Sequence, residues 1–173
     1  MLFRSGAGKM HAALFWGFIL LFLGTATATL DWDVGHYLFG EQFLKGRIYL
    51  TYKLILDVAG AAVLLGLAFA ACRRYVFHDP RVGANARFAY LLASLAAIIL
   101  TGFFTEALRL AATAPAWRTF SPVGNLLSQL FSGFDAESLK TLHIFVWVVH
   151  GLASLAFIAA LPLTYSPHLF KPP

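Results

Sequence analysis

Three histidines stand in a stretch that has no formal charge. Thr141 to Phe170 is thirty residues long and carries His143, His150 and His168. Buried imidazoles cost stability unless each finds a partner. On a helix, His150 and His168 are eighteen residues apart, which is five full turns, so they share a face. His143 precedes His150 by seven residues and lies about 20° from the same line. One face therefore carries imidazoles at three depths, separated by about 10 Å and about 27 Å. In an apolar bundle, such a stripe suits axial ligation of haem iron, with the two ligands of each haem coming from facing helices.

A second group of residues could move protons. Lys53 and Asp57 are four apart, and Glu106 and Arg109 three apart, each within an apolar run. At these spacings side chains pair on one helix face. They either neutralise one another and lock two helices together, or line a quinone pocket. A quinol releases protons with its electrons and needs an acid–base group and hydrogen-bond donors. Glu106 or Asp57 would accept protons; Lys53, Arg109 or His143 would donate. Arginines of this group are also candidates for holding haem propionates.

These residues need long apolar helices to position them. The chain has 173 residues, 60% hydrophobic and 12% charged. A soluble domain would carry about 25% charge. The expected fold is all-α: an integral membrane four-helix bundle forming one domain over the whole chain. Helices are expected at about 11–30, 48–72, 88–112 and 137–163. A loop is expected at 31–46, and an interfacial helical segment at about 125–131. Pro162 is expected to kink or end the last helix, and Pro167 to mark its end. The 20-residue run from His11 to Leu30 reads as a retained helix, not a cleaved leader. A single cysteine excludes an intrachain disulfide and an iron–sulfur cage of the chain's own. The net charge of +5 does not point to nucleic acid, because the basic residues sit at helix ends.

With both termini on one side, that side holds seven Lys or Arg against one acid. The other side holds six against seven. This predicts both termini in the cytoplasm. His11 then opens the first helix on the side where His168 closes the last, and the two can clamp one haem. His150 is too deep for the headgroups, so its ring needs either iron or a hydrogen bond to a neighbouring helix. His143, nearer the surface, suits a solvated or quinone-contacting role. His36 and His78 are expected in loops.

The closing run from His150 to His168, with its internal proline, resembles the last helix of the haem b gamma subunit of respiratory nitrate reductase. It more closely resembles the membrane cytochromes of heterodisulfide-reductase-like complexes. Met10-His11-Ala-Ala-Leu-Phe-Trp and Thr101-Gly-Phe-Phe-Thr-Glu106-Ala-Leu-Arg109 extend the likeness. The resemblance implies bis-histidine haem b, with His11 and His168 on the haem nearer the cytoplasm and His150 on a second. The gamma subunit's ligand opposite that second haem falls at Leu21, so a second haem would be held by His150 or His143, with no opposite ligand identified. The resemblance also implies a quinone-linked oxidoreductase subunit in a bacterial or archaeal cytoplasmic membrane. Its partner would be a cytoplasmic iron–sulfur protein or fused domain, of which this chain would be a separated membrane part. The competing readings are a haem-free membrane anchor of a redox complex and a small transporter.

Overall fold

The computed structural model describes residues 6–78 and 86–169, with side chains described at 8–32, 34–78 and 88–160. Among these residues there is no strand. Six α-helices follow in order: α1 (Gly6–Thr29), α2 (Tyr37–Phe39), α3 (Gly46–Ala71), α4 (Ala86–Thr113), α5 (Pro122–Ser128) and α6 (Ala136–Leu169). Four of the helical segments are long and apolar enough to cross a membrane. In hydrocarbon a helix satisfies its own backbone polar groups, which is why long apolar runs take this form.

Each long helix outlasts its expected range. The first does not stop at Leu30. It continues through a π-helical stretch, Leu30–His36, into the single turn of α2. The π stretch brings Asp31 inward to 5% exposure. There its Oδ1 accepts the backbone N–H groups of Phe43 (2.6 Å) and Leu44 (2.8 Å). A residue expected in an open loop is thus the post to which the returning chain is tied. Gly40, in the left-handed region at φ 69°, ends the helix. A second π stretch, Cys72–Val76, extends α3.

The last helix also corrects an expectation. It runs through Pro162 and includes Pro167 before ending at Leu169. Proline removes one N–H, and in an apolar surround the remaining backbone groups still find their partners within the helix, so helix persists. The interfacial segment begins earlier than expected, at Pro122. Ser121 followed by Pro122 places proline in the first helical turn, where a missing N–H costs nothing. Short 3₁₀ turns, Arg118–Phe120 and Gln129–Phe131, flank it.

The core lies between α3 and α4. Val63, Leu67 and Ala70 meet Leu92, Ile99 and Phe103 there, with Met10, Leu14 and Leu21 of α1 packed against them. α1 packs chiefly on α3, and α6 on α4. α1 and α6 meet at Phe18 and Phe157, whose ring centres are 6.1 Å apart. Gly60 makes the close approach of α3 to α4 possible. A Cβ there would stand 2.8 Å from Cζ of Phe103. Outward-facing residues of α6, among them Phe145, Trp147, Leu152 and Leu155, are exposed and apolar, as a lipid-facing surface requires.

Asp135 caps α6. Its Oδ1 accepts the N–H groups of Glu137 and Ser138, and the Ser138 hydroxyl donates to Oδ2 at 2.6 Å. That hydroxyl, with the Ser138 N–H next, holds the carboxyl below the usual aspartate range.

Two expected outcomes follow. Gly60→Val overpacks the α3–α4 contact and destabilises the bundle by about 1–3 kcal/mol, read as a lower Tm in detergent. The cap of α6 holds in full above the ordinary aspartate pKa and loosens as pH falls through the depressed one. Ser138→Ala raises the pH at which the Glu137 and Ser138 amides lose exchange protection.

Candidate functional site

Two polar layers lie along the bundle. The first is at the end away from the termini, where α5 folds back onto α3 and α4. Lys53 Nζ of α3 lies 2.7 Å from Glu106 Oε2 of α4. Arg109 grips the same carboxylate with two nitrogens, Nε at 3.1 Å from Oε2 and Nη2 at 2.8 Å from Oε1. The Ser121 hydroxyl donates to Oε1 at 3.2 Å. Arg109 also lies over the Trp117 ring, 5.1 Å from its centre. The ion pair is largely sheltered, with Lys53 and Glu106 side chains 16% and 14% exposed. By contrast Lys45–Glu41, at 62% and 76%, is a surface pair of little worth.

Asp57 does not take Lys53 as its main partner, against the four-residue spacing. Its two oxygens accept the backbone N–H groups of Val123 (2.8 Å) and Gly124 (3.1 Å). Asp57 is 6% exposed and serves as a cap for α5 from another helix. Lys53 turns instead to Glu106. The four charges therefore join α3, α4 and the 114–128 segment, which is the locking arrangement. The signal for this was the Ser121–Pro122 start of α5, which places two free N–H groups near an acid.

The second layer is a ladder of imidazoles on α6. His143 Nδ1 lies 3.1 Å from the Thr105 carbonyl. His150 Nδ1 lies 3.0 Å from the Ile98 carbonyl and 3.1 Å from the Thr101 hydroxyl. The histidines are seven residues apart, and so are their partners on the antiparallel α4. A carbonyl only accepts, so Nδ1 carries the proton in both rings. In the neutral form Nε2 is then a lone pair. Gly102 makes room for the second ring: a Cβ there would stand 3.1 Å from His150 Cε1. Sequence alone did not single out Gly102. A glycine inside a helix pattern was the available cue.

His11 is exposed, near the start of α1. The backbone of His168 lies in the last turn of α6, and its side chain is outside the described residues. Counted from the Phe18–Phe157 contact, His11 is seven residues and His168 eleven residues toward the same end. Along the helix these are about 10 Å and about 16 Å. The two backbones thus share one end of the bundle and differ in depth by about one turn. His36, expected in a loop, lies in the π stretch and stacks on Trp32 with ring centres 4.7 Å apart. His78 follows the second π stretch, at φ 49°. Among the described residues, no three His, Cys, Asp or Glu side chains cluster as a metal cage.

No family model matches the sequence, and no solved structure matches it. The chain is 30% identical, over 95% of its length, to the EtfAB:quinone oxidoreductase of Syntrophomonas wolfei subsp. wolfei. It spans 24% of that protein's length. The likeness is to a quinone-linked redox protein.

Asp57→Ala leaves the Val123 and Gly124 N–H groups without an acceptor, at a cost of about 1–3 kcal/mol. The expected result is faster amide exchange over 114–131 while the long helices stay protected. Glu106→Gln leaves two sheltered cations without their carboxylate, a loss of about 3–5 kcal/mol, seen as a larger fall in Tm than Asp57→Ala gives.

Proposed function

We propose that this chain is a haem b membrane domain that carries electrons between a quinone pool and a cytoplasmic iron–sulfur partner or fused domain. Both termini would face the cytoplasm of a bacterial or archaeal cell, as the Lys and Arg distribution favours. The observation that carries the reading is the hydrogen bond that holds the His150 ring against α4. His150 has its Nδ1–H bound to a backbone carbonyl, which orients the ring and leaves Nε2 as the donor atom. Metal-ligating histidines are held in this way. Similarity to a quinone oxidoreductase supports the same direction.

His150, His11 and His168 would hold haem iron, with the His11–His168 pair nearer the cytoplasm. The ligand opposite His150 is not identified by position. Haem b, when bound, supplies one-electron chemistry; the helices supply ligands, orientation and a water-poor surround. At the other end, His143 bonds the carbonyl of Thr105, the residue before Glu106. Its Nε2 lone pair can take a proton from a quinol hydroxyl. Glu106 is already held by Lys53, Arg109 and Ser121 and serves first as structure, with Asp57 the α5 cap.

A haem-free anchor is the second reading. It is favoured by the same hydrogen bond, since Ile98 and Thr101 satisfy one side of the His150 ring without iron. A reduced-minus-oxidised spectrum of protein made with ample haem separates the two. Sharp b-type α and Soret bands are expected, lost or halved in His150→Ala and in His11→Ala or His168→Ala. A flat difference spectrum rejects the cytochrome. Quinol-dependent reduction should slow in His143→Ala with the bands intact.

A further inference from the structure

At the end where α1 and α4 begin, one buried cation belongs to neither polar layer. Arg74 lies in the π stretch after α3 and is 5% exposed. Its guanidinium carbon stands 4.1 Å from the centre of the Phe88 ring. Phe88 is the third residue of α4, so the cation sits at that helix's first turn. Its Nε and Nη2 are buried without a hydrogen-bond partner.

Two physical costs meet here. A buried guanidinium with bare N–H groups forgoes strong bonds it had in water. A cation at a helix N-terminus also opposes the macrodipole, and α4 has no acid in its first turn. An anion joining the cation offsets both costs. The two bare nitrogens form one edge of the guanidinium, the edge that takes an oxyanion through two parallel bonds. Arg109 shows that edge filled: its Nε and Nη2 hold the two oxygens of Glu106. On Arg74 the same edge is bare.

Depth narrows the ligand. Between Asp57 and Arg73 the chain has no charge. Arg74 lies about 25 Å along the helix from Asp57, near the depth of lipid phosphates across an apolar core of about 30 Å. Basic pockets between membrane helices take anionic headgroups.

We propose that Arg74 is an oxyanion site at the termini end of the bundle, binding the phosphate of an anionic phospholipid or the carboxylate of a membrane-embedded cofactor. The second source rests on the cytochrome reading; the first does not. The test uses the full chain in nanodiscs of phosphatidylcholine with or without phosphatidylglycerol. Native mass spectrometry counts retained lipid for the wild type, Arg74→Gln and Arg74→Lys, and a redox titration follows any haem.

For the lipid source, the wild type retains phosphatidylglycerol over phosphatidylcholine and gains Tm from it. The preference falls about tenfold or more in Arg74→Gln, the worth of at least one of the two charge-assisted bonds. It falls in Arg74→Lys too, because an ammonium lacks the two-pronged edge. For the cofactor source, lipid retention is equal in all three and the haem potential moves down in Arg74→Gln. A wild type that shows no preference between the lipids, with a haem titration untouched by Arg74→Gln, overturns the proposal. Colourless protein that still selects phosphatidylglycerol through Arg74 sinks the cytochrome and sustains this site. Should neither variant fold, the wild type decides: no gain in Tm from phosphatidylglycerol rejects the lipid source, and a protein that also holds no haem rejects the site.

Discussion

One carboxylate holds two cations in the half of the bundle farthest from the termini, and the architecture there hangs on it. Lys53 comes from α3 and Arg109 from α4, and Glu106 pairs with both, at 2.7 Å and 2.8 Å. In an apolar surround, separating any of these charges from the others is expensive, so the helices that carry them must stay together. Apolar packing alone would not do this, because lipid offers α3 and α4 as good an environment as they offer each other. Asp57 extends the same logic to α5 by offering its carboxylate to backbone N–H groups. That segment is thereby fastened to the bundle both by charge and by Val123 and Leu127, which pack against the core between α3 and α4.

The opposite half has a different economy. There the polar groups are the His150 imidazole, bonded to the Ile98 carbonyl, and a guanidinium that has a ring face but no acceptor. Gly102 shows how backbone shape serves chemistry. With no side chain it lets the His150 ring lie against α4 and reach the Ile98 carbonyl. That bond fixes which nitrogen bears the proton, because a carbonyl only accepts.

Four crossings, their approximate limits and the charge asymmetry were legible in residue order, because hydropathy and helix rise are local quantities. That His143 and His150 share a face was legible too, as a matter of helical period. The pairing of Lys53 with Asp57 was not. Spacing allows it, but Glu106 on another helix is the better partner once Asp57 has two N–H groups to bind. The loop assigned to 31–46 failed for a related reason. Asp31 looks like a helix stop, yet it is buried because Phe43 and Leu44 return to meet it. The end assigned at Pro162 failed because a proline removes one hydrogen bond and a surrounding helix can outlast that loss.

The residues in order determined that this chain forms long apolar helices, how many cross, and which side chains share a face. Each of these follows from side-chain polarity and the 3.6-residue turn. The tertiary structure alone decided the partners: Glu106 for Lys53, α5 for Asp57, the Ile98 carbonyl for His150, and nothing for the Nε and Nη2 of Arg74. Partner choice depends on which helices stand side by side and at what depth. That is a property of the packed bundle, set by the close approaches that residues such as Gly60 and Gly102 permit, and no single stretch of sequence contains it.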